Sequence, residues 1–386
     1  MKFTAEKSDF LKKLTLAMGS VSNKNTITSI EGVLLETTDD GLVRISTYDM
    51  NKGFRATFPT VSIEREGKCI INAQRLFQTV KVLPDDEITV EVDDKLNCTV
   101  FSGKASFSMF AMNGADFPNM PELISDRGFE ISGEVLRNMI GKVIHSVAEQ
   151  DTRPMLCGAF FKIDKAGLDV VSTNGYTLSK CRMNCDIGVI DDDNINYSFI
   201  IPGHALSELQ KILGEGGDCR VKFLVARRHA IIKMDDIVFF TRTIDSEYID
   251  YERVIPRDNS ITVVINKENI LSALERANII AEEKIQGRGR SYVKIIIDGQ
   301  CMTLTSASAN GKVSDEIDCV HEGDNLVIGF NCRYLINSIR VAEGENIKIR
   351  MKAPTQAIVI EADSEDEYFS YLYMVLPVRM NEEAEE

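Results

Sequence analysis

Gln74-Arg75-Leu76-Phe77-Gln78-Thr79-Val80-Lys81-Val82-Leu83, followed by Pro84-Asp85-Asp86-Glu87 and then Ile88-Thr89-Val90-Glu91-Val92, is the stretch whose reading decides the fold. The first segment carries apolar residues at helical spacing, the second is a turn, and the third alternates as a half-buried strand does. The same order of signals returns from Leu206 to Leu213, through Gly214-Glu215-Gly216-Gly217, to Val221-Lys222-Phe223. It returns again from Tyr334 to Val341, through Ala342-Glu343-Gly344-Glu345, to Ile347-Lys348-Ile349-Arg350-Met351. Leu83, Leu213 and Val341 therefore recur at about 130 residues, far longer than a solenoid repeat, so each copy is a small domain.

Other landmarks keep the same spacing. Gly32-Val33-Leu34-Leu35 is echoed by Gly158-Ala159-Phe160-Phe161, and Ile45-Ser46-Thr47 by Val171-Ser172-Thr173 and Thr305-Ser306-Ala307. Each unit closes on a proline-ended stretch containing aromatic residues, at residues 116–121, 248–256 and 371–377. One echo is accident; a series in constant order is a triplication. The expected domains are 1–124, 125–256 and 257–380, with an acidic tail at 381–386.

Composition bounds the class. With 386 residues, 44% of them hydrophobic, the chain has an ordinary globular composition. No apolar run reaches the roughly 18 residues that cross a bilayer, and Met1-Lys2-Phe3-Thr4-Ala5-Glu6 lacks a signal-peptide pattern, so a cytoplasmic protein with no membrane partner is expected. Nine cysteines lie scattered without a CxxC pair, which reads as reduced thiols and no metal site.

Net charge is −15, but its distribution matters more than its sum. Two helices per repeat are expected, at residues 5–17 and 74–83, 134–147 and 204–213, 266–282 and 331–341, separated by short alternating strands such as 105–109 and 231–240. Those six spans hold twelve Lys and Arg against seven Asp and Glu, while the rest of the chain holds 32 against 52. The cations also fall in repeat columns: Lys12 with Arg137, Lys81 with Lys211, and Arg75 with Arg333. A basic surface built by symmetry on an acidic protein suits a polyanion held through its phosphates.

Catalytic signatures are missing from the sequence. There is no GxxxxGK[ST], no GxGxxG after a strand, no HExxH and no GxSxG, and the four histidines are linked to no nucleophile by any motif. Gly287-Arg288-Gly289-Arg290 reads as a basic turn, and Asp191-Asp192-Asp193-Asn194 as a solvated turn without the glycine and distant glutamate of a calcium loop. The expectation is a non-enzymatic binding body with no cofactor.

Across its length the chain resembles the bacterial DNA sliding clamp family, the β subunit of the polymerase III holoenzyme. The resemblance is carried by Ala115-Asp116-Phe117-Pro118-Asn119, Gln150-Asp151-Thr152-Arg153, Thr173-Asn174-Gly175-Tyr176-Thr177-Leu178, Asp250-Tyr251-Glu252-Arg253-Val254-Ile255-Pro256 and Leu376-Pro377-Val378-Arg379-Met380. It implies an α+β clamp fold of three tandem domains, a head-to-tail homodimeric ring around duplex DNA, and a processivity role without sequence readout. It also implies that Lys24, Arg75 and Gln150 approach DNA, joined by Lys12, Arg137, Lys142 and Lys211 on the lining helices. Lys81 and Arg333 follow from the columns above.

By the same resemblance a partner-peptide pocket between the second and third domains takes Arg153, Leu156, Thr173, Gly175, Leu178, Ile249, Arg253, Val254, Leu376, Pro377, Val378 and Arg379. Its implied occupants are the replicative polymerase, the clamp loader and repair proteins carrying a short clamp-binding peptide. At the subunit seam Phe107 and Met109 are expected against Ile279 and Ile280. Pro154-Met155 and Gly203-His204 depart from the family pattern, which weakens the DNA contacts that the resemblance assigns there without touching the ring. The alternative reading is an acidic interaction scaffold that never encircles DNA.

Overall fold

The computed structural model describes residues 1–380 apart from 23–26, 85, 122–123, 126, 185–187, 191–195, 216–218, 282–291, 309–310 and 364–367. Lys24, the two turns at 191–194 and 287–290, and the tail at 381–386 lie outside the described residues.

The first repeat begins with β1 (Lys2–Glu6), α1 (Lys7–Ala17), β2 (Gly32–Thr37), β3 (Leu42–Tyr48) and β4 (Lys52–Pro59). It continues with β5 (Ser62–Arg65), β6 (Lys68–Asn72), α2 (Ala73–Val82), β7 (Glu87–Val92), β8 (Asn97–Ser102) and β9 (Ala105–Asn113). The second runs β10 (Gly128–Ser132), α3 (Gly133–Val143), β11 (Gly158–Asp164), β12 (Gly167–Thr173) and β13 (Thr177–Asn184). Then come β14 (Gly188–Ile190), β15 (Tyr197–Pro202), α4 (Gly203–Glu215), β16 (Arg220–Ala226), β17 (His229–Met234) and β18 (Ile237–Arg242). The third opens with β19 (Ile261–Asn266), α5 (Lys267–Ala281), β20 (Val293–Asp298), β21 (Cys301–Ala307) and β22 (Lys312–Asp318). It closes with β23 (Val320–Glu322), β24 (Leu326–Phe330), α6 (Cys332–Val341), β25 (Asn346–Met351), β26 (Ile358–Ala362) and β27 (Phe369–Val375). Order and type of element agree throughout, so the triplication read from the echoes is a triplication of structure, although the strand register places Ile45 with Val170 and Leu304, one residue from the echo read at Val171 and Thr305.

The chain divides into two compact units that cut across the repeats: residues 1–137, 188–194 and 204–243 form one, and residues 138–187, 195–203 and 244–386 the other. The first unit holds a 14-stranded sheet in the order β14-β10-β16-β17-β18-β4-β3-β2-β6-β9-β8-β7-β1-β5. Here the last strand of the second repeat, β18, pairs with β4 of the first, Phe239 opposite Phe54. The second unit holds a nine-stranded sheet, β15-β11-β12-β13-β27-β26-β25-β19-β23, and a four-stranded one, β22-β21-β20-β24. In it the last strand of the third repeat, β27, pairs with β13 of the second, Tyr373 opposite Ser179.

Local chemistry explains the helices. Asn72, Asn266 and Asn331 accept hydrogen bonds from the backbone N–H groups of Arg75, Asn269 and Arg333, satisfying donors that a helix start leaves unpaired. Lysines close the other end. Lys7, first residue of α1, donates to the Leu83 carbonyl past α2, and Lys267, first residue of α5, donates to the Ala342 carbonyl past α6. In the second repeat that position is Gly133. Apolar packing does the rest: Phe10 stacks on Phe58 at 5.0 Å beside Phe3, and all three are sealed from solvent.

Two sequence expectations need correction. The helix expected over 134–147 stops at Val143, and Ile144–Ser146 is a 3₁₀ turn. Ser172 donates to the Val143 carbonyl at 2.5 Å, drawing it away from the helical ladder. The single strand expected over 231–240 is a hairpin, with Met234 opposite Ile237 and a two-residue turn whose Asp235 has φ +40°.

Candidate nucleic-acid and partner interfaces

In the first unit Lys12, Arg75, Lys81, Arg137 and Lys211 are exposed on α1, α2, α3 and α4. Each lies on the outward stripe of an amphipathic helix, while residues such as Leu14, Leu76, Leu136 and Leu209 face inward. Lys12 donates to the Glu215 carbonyl at the end of α4 over 3.4 Å. Lys211 holds Glu208 at 2.9 Å one turn back, and the Lys81 ammonium lies 6.0 Å from the Phe77 ring. The Arg137 guanidinium lies against Gly214, where an added methyl would come within 3.3 Å of it. Such exposed contacts are weak and exchange readily for phosphate.

In the second unit Gln150 and Arg333 are also exposed. Lys142 is not. Its side chain is 6% exposed, and its ammonium donates to the Val341 carbonyl at 2.7 Å and pairs with Glu343 at 2.7 Å, 4.7 Å from the Tyr371 ring. The DNA-lining role expected for Lys142 is therefore corrected: it caps the end of α6. Burial lowers its pKa, and Glu343 opposes that shift.

All twelve residues of the expected partner pocket belong to the second unit. Arg153 lies across the turn that holds Gly175; a Cβ there would stand 3.4 Å from its Nη2. Asp151 fixes that guanidinium through Nε at 2.9 Å and Nη2 at 3.1 Å, and the pairing pulls its carboxyl down to about 2. Gly175 has φ +87°, which only glycine adopts freely, and Thr173 braces the turn by donating to the Thr177 carbonyl at 2.6 Å. Beneath it Leu178, Val171, Tyr251, Ala357 and Met374 form one buried cluster, with Ile249 packed against it. Phe160 stacks on Tyr248 at 4.8 Å in the same cluster.

After β27 the chain is tied at two points: the Leu376 N–H donates to the Tyr176 carbonyl at 2.9 Å, and the Val378 N–H to the Gly329 carbonyl at 2.8 Å. This leaves Leu376 36% and Val254 49% exposed, apolar and at the surface, while Leu156 and Leu178 are core at 1%. Pro377 is partly buried, and Arg379 and Arg253 are exposed, the latter paired with Asp250 at 2.8 Å. The sequence reading missed an aromatic pair here. Tyr176, 60% exposed, stacks on Tyr334 with ring centres 5.8 Å apart. Its only sequence signal is a large aromatic in a turn, beside a glycine, where solvated residues are usual.

Of the seam residues, Phe107 is 41% and Ile279 71% exposed, while Met109 and Ile280 are half-buried. Phe110, 82% exposed on the same strand as Phe107, was also missed. No group of His, Cys, Asp and Glu that could hold a metal is found among the described residues, and the eight described cysteines are free thiols. Among the described residues no helix is long and apolar enough to cross a membrane.

Comparison with known proteins gives three consecutive family matches. Residues 1–121 match the DNA polymerase III beta subunit N-terminal domain, 130–250 its central domain and 252–379 its C-terminal domain. The beta sliding clamp of Bacillus subtilis is 26% identical over 98% of this chain and 100% of its own length. That of Escherichia coli K12 is also 26% identical, with the same coverage of both chains. The crystal structure of the Bacillus subtilis DNA polymerase sliding clamp superposes with TM-score 0.89 at 26% identity, over 99% of this chain and all of that one. The Thermotoga maritima DNA polymerase III beta subunit gives 0.88 at 26% identity, over 98% of this chain and all of that one.

Proposed function

Because the chain belongs to the DNA polymerase III beta subunit family, we propose that it is a processivity factor whose two-copy ring encircles duplex DNA and tethers a replicative polymerase. The observation that carries this reading is a pairing rule with one vacancy. In each repeat the last strand seeks a strand of another repeat: β18 takes β4, and β27 takes β13. By that rule β9 should take β22. Yet among the described residues the Ala105–Phe110 part of β9 pairs only with β8, and β22 only with β21. Two open edges of complementary rank on one chain are a standing invitation to a second copy.

The register can be carried over. Arg55 pairs with Val238 and Lys180 with Leu372; counting along the repeats, the corresponding pair is Ser314 with Ser106 of a second copy. Phe107 then meets Val313, and Lys104 faces Glu316. Ile279, on the helix above β22, supplies the apolar flank. Each chain contributes both edges, so two copies close on themselves and neither of these two edges stays open.

Within such a ring the exposed cations of α1 to α4 and α6 would meet phosphates without reading bases, which permits sliding. The surface at Leu376, Val254 and the Tyr176–Tyr334 pair would receive the apolar anchors of a partner peptide, as expected for the pocket residues assigned from the sequence. The polymerase, the clamp loader and repair proteins would compete there.

Light scattering at micromolar concentration tests the closure. A mass near twice 43.1 kDa supports it, and retention on circular but not linearised DNA after loading completes the case. A 43.1 kDa species that persists on concentration would remove the ring and leave the acidic scaffold as the function.

A further inference from the structure

We propose that the first unit carries a binding site for a small oxyanion, a carboxylate or phosphate group, in the cavity on the outer face of β2, β3 and β4. The cavity has a volume of about 190 Å³, and Glu36, Arg44, Arg55, Lys68 and Met120 line it. At roughly 30 Å³ per water, that admits an oxyanion head group with a few waters. Three cations face one carboxylate. Glu36 holds Arg44 at 3.0 Å. Arg55 turns one Nη2 hydrogen to the Met120 sulfur at 3.3 Å, a poor acceptor for a guanidinium, and its buried Nε has no partner. Lys68 is exposed and forms no ion pair among the described residues. A guanidinium with an idle N–H beside a second arginine and a lysine is a fork for planar or tetrahedral oxyanions.

The repeats supply an internal control. Glu36 opposes Arg44 as Lys162 opposes Asp169, and Ser46 opposes Arg55 as Val171 opposes Lys180. The first repeat thus has arginine where the second has aspartate. In the second repeat the cation is neutralised from within: Lys180 pairs with Glu252 at 2.5 Å and lies 4.0 Å from Asp169, which also holds Arg182 at 2.7 Å. The third repeat has Ile296, Thr303 and Ser314 at the places of Glu36, Arg44 and Arg55, and its one cation there is Lys294, at the place of Leu34. The first repeat joins an excess of positive charge to a cavity. Burial and the neighbouring Arg44 both press on Arg55, so an external anion would relieve it.

The test is thermal unfolding of the full chain at constant ionic strength, chloride being replaced by inorganic phosphate in one arm and succinate in the other. A saturable rise in Tm in either arm is expected, and the arm that saturates identifies the source. Arg44→Gln and Arg55→Gln should each weaken the apparent affinity at least about tenfold, and Glu36→Gln, which releases Arg44, should strengthen it several-fold. If Arg55→Gln fails to fold, the two surface variants carry the test. Equal, non-saturating shifts in wild type and variants would overturn the proposal.

Discussion

Acidification should loosen the junction between β13 and β27, and His145 sets the window. Its ring lies against Tyr373 of β27 at 5.6 Å, and its Nε2 is 3.1 Å from Ser179 Oγ of β13, which in turn meets Ser146 Oγ at 2.7 Å. Nδ1 is buried without a partner. A second proton would place a charge and an idle N–H there, so burial lowers the pKa to about 4. A histidine in the unfolded chain titrates near 6.5, so between pH 6.5 and 4 the unfolded state binds more protons. Stability is therefore complete above pH 6.5 and falls as pH drops toward 4. The full shift corresponds to roughly 3 kcal/mol, of which about 2 kcal/mol is lost by pH 5. Burial lowers the pKa of His204 and His229 too, and they load the same window. The informative quantity is thus the stability difference between wild type and His145→Gln, which cancels them. Urea unfolding across pH 7.5 to 5, with hydrogen exchange of the β13 and β27 amides as the local readout, should show that difference change by about 2 kcal/mol in favour of the variant as pH falls. Parallel curves would refute the reasoning.

Lys142→Met keeps the aliphatic stem but loses the Val341 and Glu343 contacts, and should cost about 1 to 3 kcal/mol in denaturant unfolding while leaving the salt dependence of DNA retention unchanged. Arg75→Gln should do the reverse, lowering the slope of log affinity against log salt by about one without measurable destabilisation. Phe107→Asp, on the open edge of β9, should give a folded 43.1 kDa species by light scattering where the wild type is double. Leu376→Asp should abolish binding of a fluorescent clamp-binding peptide with an unchanged melting curve, a cleaner probe than Leu178, whose truncation would open a core cavity costing about 2 to 5 kcal/mol.

The frame was legible because its signals are local. Apolar spacing of three and four marks α1 to α6, period two marks the strands, and the echoes give the order of elements in each repeat. The misreadings came where a distant partner decided the outcome. Nothing local in residues 134–147 reveals that Ser172 will take the Val143 carbonyl. Nothing in the helical period of α3 says that the end of α6, nearly 200 residues on, will cover Lys142, because periodicity separates two faces without naming what covers either. The hairpin inside 231–240 did leave a trace, Asp235-Asp236 between two apolar runs, which an unbroken alternation obscured. Tyr176 and Phe110 went unseen for the opposite reason: exposed aromatics break the rule by which a surface is read, and interaction surfaces are where that rule fails.

The charge count was right in sign and too large in meaning. Of the twelve cations in the six expected helices, Lys7, Lys142 and Lys267 serve part-buried carbonyls at helix ends, and Lys12, Lys13, Lys211, Arg276 and Arg340 lie in ion pairs with nearby acids. The two groups differ energetically. An ammonium that satisfies buried carbonyls cannot be withdrawn for a phosphate without exposing an unmet acceptor, whereas an exposed pair exchanges partners at little cost. On the proposed function, the charge available to phosphate is thus smaller than the sequence total and carried by exposed, replaceable contacts. A body that gripped DNA by charge would need the opposite arrangement. A body that holds DNA by closing around it, through the β9 and β22 edges, needs only enough charge to keep the duplex centred, and excess would act as friction.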